Sequence, residues 1–287
     1  MDNAAQRFLH RLISQQSPDE AVAWLEQQTK KYQDQPSSRS FYLTFSTIAR
    51  HFSKTNLTLN DKTVQQAEQI RSGWDLSQWN VRQTARTYWL LQLSADSFEE
   101  YRAVLDRLFA TADVDEQVTL YAALPLYQYS DQMEYRASEG IRTNITDVFD
   151  AVALRNPYPA EYLPNEGWNQ MVLKAIFMGR PLYLIQQLDE RRNPDQARML
   201  IDFAHERWAA NRSVTPELWR CTAPYLTEDH LLDIQHLLEQ GSALEKQAAN
   251  LAVKESENDT LYKQLNDYSL PDEELNWKTV GTMCNEM

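Results

Sequence analysis

Apolar residues recur along this chain at helical spacing. Phe98, Tyr101, Leu105, Leu108 and Phe109 form one stripe. Ala197, Leu200, Ile201, Ala204 and Trp208 form another, and Ala21, Trp24 and Leu25 a third, interrupted by Gln28. Spacings of three and four residues put such side chains on one helix face. No stretch alternates convincingly with period two. The run Phe41-Tyr42-Leu43-Thr44-Phe45 is rich in β-formers, yet Ile48, Ala49 and Phe52 continue it at helical spacing, so it reads as helix. Helix starts punctuate the pattern. Ser17-Pro18-Asp19-Glu20, Asn193-Pro194-Asp195-Gln196 and Thr215-Pro216-Glu217 each join a capping side chain to a Pro. Ser97 with Glu100, Asp113 with Glu116, Thr227-Glu228-Asp229 and Leu270-Pro271-Asp272-Glu273 add further starts. The sum is an all-α protein of about fourteen helices, each of roughly 10–20 residues.

Spacing between starts makes helix pairs recur every ~35–45 residues. That period fits an irregular array of antiparallel helix pairs, a HEAT-like α-solenoid, with a compact multi-helix domain as the alternative. The least helical stretch, LRNPYPAEYLPNEG from Leu154 to Gly167, holds three Pro. It reads as a stiff connector and as a sub-bundle boundary near residues 155–166, within one all-helical domain spanning 1–287.

Composition narrows the function classes. Six Gly, all far apart in sequence, leave no phosphate-cradling loop. The net charge of −13 argues against nucleic acid as a partner. Residues 227–287 carry 13 acids and 4 bases, so the C-terminal part holds most of that excess. The N-terminal MDNAAQRFLHRLISQQS lacks the apolar stretch of a signal peptide, and no run is long enough to span a membrane. The two Cys form no disulfide framework, so a reducing, cytoplasmic location is expected. No cofactor or metal is expected. The His-Glu-x-x-His pattern is absent, and His230 and His236 stand too far round a helix to share an ion.

The candidate chemistry lies in the middle of the chain. Arg198, Asp202 and His205 share a helix face, with Arg207 and Trp208 close behind. Asp202 and His205 with Glu206 offer a partial metal or acid–base set, or the face is a salt-bridge ladder. Trp168, Asn169 and Lys174 sit in an otherwise apolar helix, where Lys174 either points into a cleft or snorkels to its margin. Asn144 and Asp147 share a helical line, and Asp147 is expected to pair with Arg155 or Arg142. Asn156 before Pro157 reads as a helix stop. Asp189-Glu190-Arg191-Arg192 and Glu206-Arg207 read as ion-pair material between helices, and Arg220 beside Trp219 is expected to stack or pair.

Four strings carry a resemblance: VFDAVALRNPYP (Val148 to Pro159), GWNQMVLKAIFMGRPL (Gly167 to Leu182), LDERRNP (Leu188 to Pro194) and ARMLIDFAHERWAANRSVTPELWR (Ala197 to Arg220). In these the chain resembles the EboA family. Gly167 departs from the family pattern, which leads one to expect Ala, and Asn211 stands where Gly is expected. The resemblance implies an operon whose other products look like a prenyltransferase, a sugar-phosphate cyclase and metal-dependent hydrolases, a pathway making or exporting a small prenylated metabolite. The expected role is a non-catalytic binding or scaffold protein, its partners those pathway enzymes or a small hydrophobic intermediate. A pathway enzyme with a polar cleft around Asn169, Lys174, Asp189 and His205 is the alternative. A homodimer docked through the acidic C-terminal part is a third reading.

Overall fold

A computed structural model describes residues 4–264 and 275–286. Among these residues there are seventeen α-helices and no strand; Asn56 and Asn80 form one isolated bridge. The protein is all-α. The helix number exceeds the sequence expectation because several pieces are one or two turns long. The start expected at Leu270–Glu273 lies outside the described residues.

The chain divides into two compact units, 1–163 and 164–287. The first holds α1 (Ala4–Gln16), α2 (Asp19–Asp34), α3 (Ser38–His51), α4 (Asp61–Ile70), α5 (Val81–Leu90), α6 (Phe98–Thr111), α7 (Val114–Ala122), α8 (Glu134–Arg142), α9 (Thr146–Ala153) and α10 (Tyr158–Tyr162). Helix α5 is its centre: of its ten residues, only Arg82 is not buried. Alternate helices pack on each other, α3 on α5, α5 on α7 and α7 on α9, while α1 lies chiefly against α5. Side chains stitch these contacts. The Trp89 indole donates to the Phe41 carbonyl at 3.0 Å. Arg86, 1% exposed, reaches Asp115 at 2.8 Å and lies over the Phe45 ring. A buried guanidinium is tolerated because it is paired at once with Asp115 and Glu116 at the start of α7.

The second unit holds α11 (Asn165–Phe177), α12 (Pro194–Ala209), α13 (Leu218–Thr222), α14 (Leu231–Gln240), α15 (Ala243–Glu255), α16 (Asp259–Gln264) and α17 (Trp277–Glu286). Its core gathers Trp168, Trp219, Leu218 and Cys221, and α15 presents Ala248, Ala249 and Ala252 where α13 and α14 pack against it. Small residues there let the backbones approach.

Local chemistry explains several boundaries. Ser97, Asp113 and Asn193 cap α6, α7 and α12 as their sequences suggest; Asp113 and Glu116 close a full capping box. Two starts differ. The α2 helix opens at Asp19 with Pro18 as its cap residue, and the Ser17 hydroxyl accepts nothing from it. After Thr215-Pro216 the chain makes a turn first, and α13 begins only at Leu218, because the Glu217 side chain turns inward instead. Helices α11 and α12 end alike. Gly179 (φ +63°) and Asn211 (φ +54°) take left-handed backbone, and the next N–H reaches back, Arg180 to Ala175 at 2.8 Å and Arg212 to Arg207 at 2.9 Å. Asn tolerates this conformation better than other side-chain-bearing residues, which accounts for Asn211 at a position where Gly is expected.

Candidate functional site

An open cleft of about 330 Å³ lies in the first unit, where α6, α7, α8 and α9 converge. Phe109 from α6, Tyr121 from α7 and Val148 from α9 form its apolar wall. Helix α8 lays Arg136, Glu139 and Arg142 along it at three-residue spacing, and Gln117 and Thr143 complete the lining. The geometry depends on Gly140. A Cβ there would come 2.6 Å from Val152 and 2.7 Å from the Tyr121 ring, so only Gly lets α8 lie this close to α7 and α9.

The two arginines of the cleft differ. Arg136 is fixed: it pairs with Asp106 at 2.6 Å, bonds Glu139, and lies 4.5 Å over the Phe109 ring. Asp106 also accepts from the Tyr135 hydroxyl at 2.7 Å. Burial pushes the Asp106 carboxyl up, but these donors outweigh it and hold its pKa below the usual range. Burial, with the Glu139 charge adding to it, pushes the Tyr121 phenol up to about 12, so it stays a neutral wall. Arg142 is exposed, and among the described residues no ion pair engages it.

The candidates named in the sequence fall as follows. In the first unit, Asn144 and Asp147 are exposed beside Thr143 and the start of α9. Arg155 (φ +54°) meets Asp75 at 3.5 Å, not Asp147. Asn156 is buried: its amide donates to the Ala151 and Tyr121 carbonyls, and its oxygen accepts from the Tyr158 N–H, which ends α9 and starts α10.

In the second unit, the LDERRNP segment is a latch. Asp189 accepts two bonds from Arg220, both at 2.7 Å. Arg192 reaches Glu255 at 2.6 Å and the Arg220 carbonyl at 2.9 Å. Asn193 and Asn169 exchange amide bonds at 2.8 and 3.1 Å, and Arg191 lies 4.9 Å over the buried Trp168 ring. Asn169, Asp189 and Arg220 are thus joined through one loop. Lys174 is half-buried on α11, and burial lowers its ammonium pKa. His205 belongs to another contact: it bonds Asp233 of α14 at 2.7 Å, and Trp208 nearby stacks on Trp219 and meets the His236 ring at a tilt. Arg207 donates to the Ser213 carbonyl, Arg198 pairs with Asp195, and Asp202 is exposed. Among the described residues no three His, Cys, Asp or Glu gather in a way that would hold a metal ion.

Sequence reasoning missed Gln117, Tyr121, Arg136, Glu139 and Thr143, and it named Phe109 only as part of a stripe, Arg142 only as a partner for Asp147 and Val148 only within a string. The available signal was Gly140, a Gly inside a helical pattern in a chain with only six.

Fold and cleft together define an all-helical protein with an open hollow lined by aromatic, aliphatic and charged side chains. A match to a family model places the chain more closely. It belongs to the EboA family: the model described as metabolite traffic protein EboA matches residues 5–223. Neither the curated proteins nor the solved structures yield a match to it. No described helix is long and apolar enough to cross a membrane.

Proposed function

We propose that the chain is a non-catalytic helical binding protein. It holds a small metabolite in the cleft between α6 and α9 and serves a pathway that makes or exports a prenylated product. The observation that carries this reading is the cleft itself, a concave hollow walled by Phe109, Tyr121 and Val148 and open enough for a ligand to enter and leave. The family description, metabolite traffic, agrees with it. The polar groups of Asn169, Asp189 and His205 support binding over catalysis. Each is engaged by another helix or loop, as structural pairs are. Prenyltransferase-like and cyclase-like proteins of the same operon are the proposed partners that load and unload the cleft, and the cytoplasm is the proposed place of action, in keeping with two free thiols. Native mass spectrometry of the full chain, incubated with extracts of cells carrying the pathway, tests this. A small molecule bound in stoichiometric amount and released on unfolding is the expected result. A chain that takes up nothing, and that none of the pathway enzymes captures in pull-downs, overturns it.

A further inference from the structure

The cleft also indicates which chemical class of metabolite it takes, an inference that rests on the binding role proposed above. Its charges are not equivalent. Arg136 is already neutralised by Asp106 and Glu139. Its guanidinium lies over the Phe109 ring, so it buttresses the wall. Arg142 stands one helical turn beyond Glu139 on the same lining, exposed and outside every ion pair among the described residues. A ligand seated against Phe109, Tyr121 and Val148 covers this guanidinium as it enters. A neutral or cationic ligand gives Arg142 no partner for its charge. A carboxylate or phosphate would meet its planar fork with two parallel hydrogen bonds. The lining thus separates an apolar wall from one unpaired cation. Its volume, about 330 Å³, lies at the low end of the roughly 300–1,000 Å³ typical of small-molecule sites.

We infer that the cleft binds an anionic amphiphile, its carboxylate or phosphate head on Arg142 and its apolar part against Phe109, Tyr121 and Val148. The test is calorimetric titration of the full chain with octanoate, octyl phosphate and 1-octanol below their micellar concentrations. It is run on the wild type, on Arg142→Gln and on Arg142→Lys. Arg142 is exposed at a helix end, so neither variant is expected to disturb folding, and circular dichroism checks this. Both anions should bind the wild type, at least one of them about tenfold more tightly than octanol, since a charge-assisted bond is lost with the alcohol. Arg142→Gln should lose that advantage, weakening both anions several-fold more than octanol, and Arg142→Lys should keep part of it. The tighter anion identifies the head group. Octanol binding as well as the anions, or Arg142→Gln binding the anions as tightly as the wild type, overturns the inference and leaves the binding role standing. A wild type that binds none of the three compounds overturns the inference, and the binding role is then decided by the native mass spectrometry and pull-downs described above.

Discussion

The pair of Asp189 and Arg220 tests whether the polar strings of the second unit are architecture. Two hydrogen bonds of 2.7 Å join the carboxylate to the guanidinium, and the Arg220 side chain is only 14% exposed. Hydrogen bonds to charged groups contribute about 1.5–3 kcal/mol each, but not additively. Asp189 is 39% exposed, so water screens the pair, and a coupling of about 2 kcal/mol is the reasonable figure. A double-mutant cycle with Asp189→Ala, Arg220→Ala and both together measures it by urea unfolding of the full chain. Each single variant should lose about 2–3 kcal/mol, because it leaves a charge of the latch unmatched. The double variant should lose little more than either, with ligand affinity at the cleft unchanged. Single losses below about 0.5 kcal/mol, with additivity in the double, would refute the latch, since that is the size expected of a surface pair.

Gly140→Ala drives a methyl into Val152 and Tyr121; it should cost about 1–3 kcal/mol in unfolding experiments and weaken cleft binding as well. Gly179 has open space around its Cβ position but φ +63°, so Gly179→Ala should cost about 1 kcal/mol through backbone strain alone, and Gly179→Asn less, as Asn211 already shows at the end of α12. In Asp106, Asp115 and Asp189 burial pushes the carboxyl pKa up, and cationic donors outweigh it and hold it below the usual range. Their contribution is therefore present above the unfolded-state pKa, about 3.9, and is lost as pH falls through the lower folded values. Glu217 works the other way, since burial raises its pKa and folding gains as it protonates. The three aspartates outnumber it, so unfolding free energy should fall below about pH 4; a protein as stable at pH 3 as at pH 7 would contradict these pairings.

What the sequence shows clearly is what neighbouring residues decide among themselves. The caps at Ser97, Asp113 and Asn193 are legible because a side chain and an N–H two or three residues on suffice to make them. The stripes of α6 and α12 are legible because one face is buried along its whole length. Glu217 misleads for the opposite reason. Its place after Thr215-Pro216 suggests a helix start, yet its carboxylate accepts the N–H groups of Leu182 and Tyr183, some thirty-five residues away in sequence. The cleft was illegible because no segment owns it. Phe109, Tyr121, Arg136 and Val148 come from four helices. The pairing that fixes Arg136 comes in part from Asp106, thirty residues earlier. The polar residues that looked like chemistry, Asn169, Asp189 and His205, are conspicuous in sequence for the reason that makes them structural: each joins its own element to a distant one.

Hydrogen exchange measured by mass spectrometry, with and without saturating octyl phosphate, locates the ligand on the chain. Protection should rise in peptides of α6 to α9, residues 98–153, and stay unchanged in those covering Asn169, Asp189 and His205. Protection confined to residues 167–220 would contradict the account and place the ligand among the polar strings.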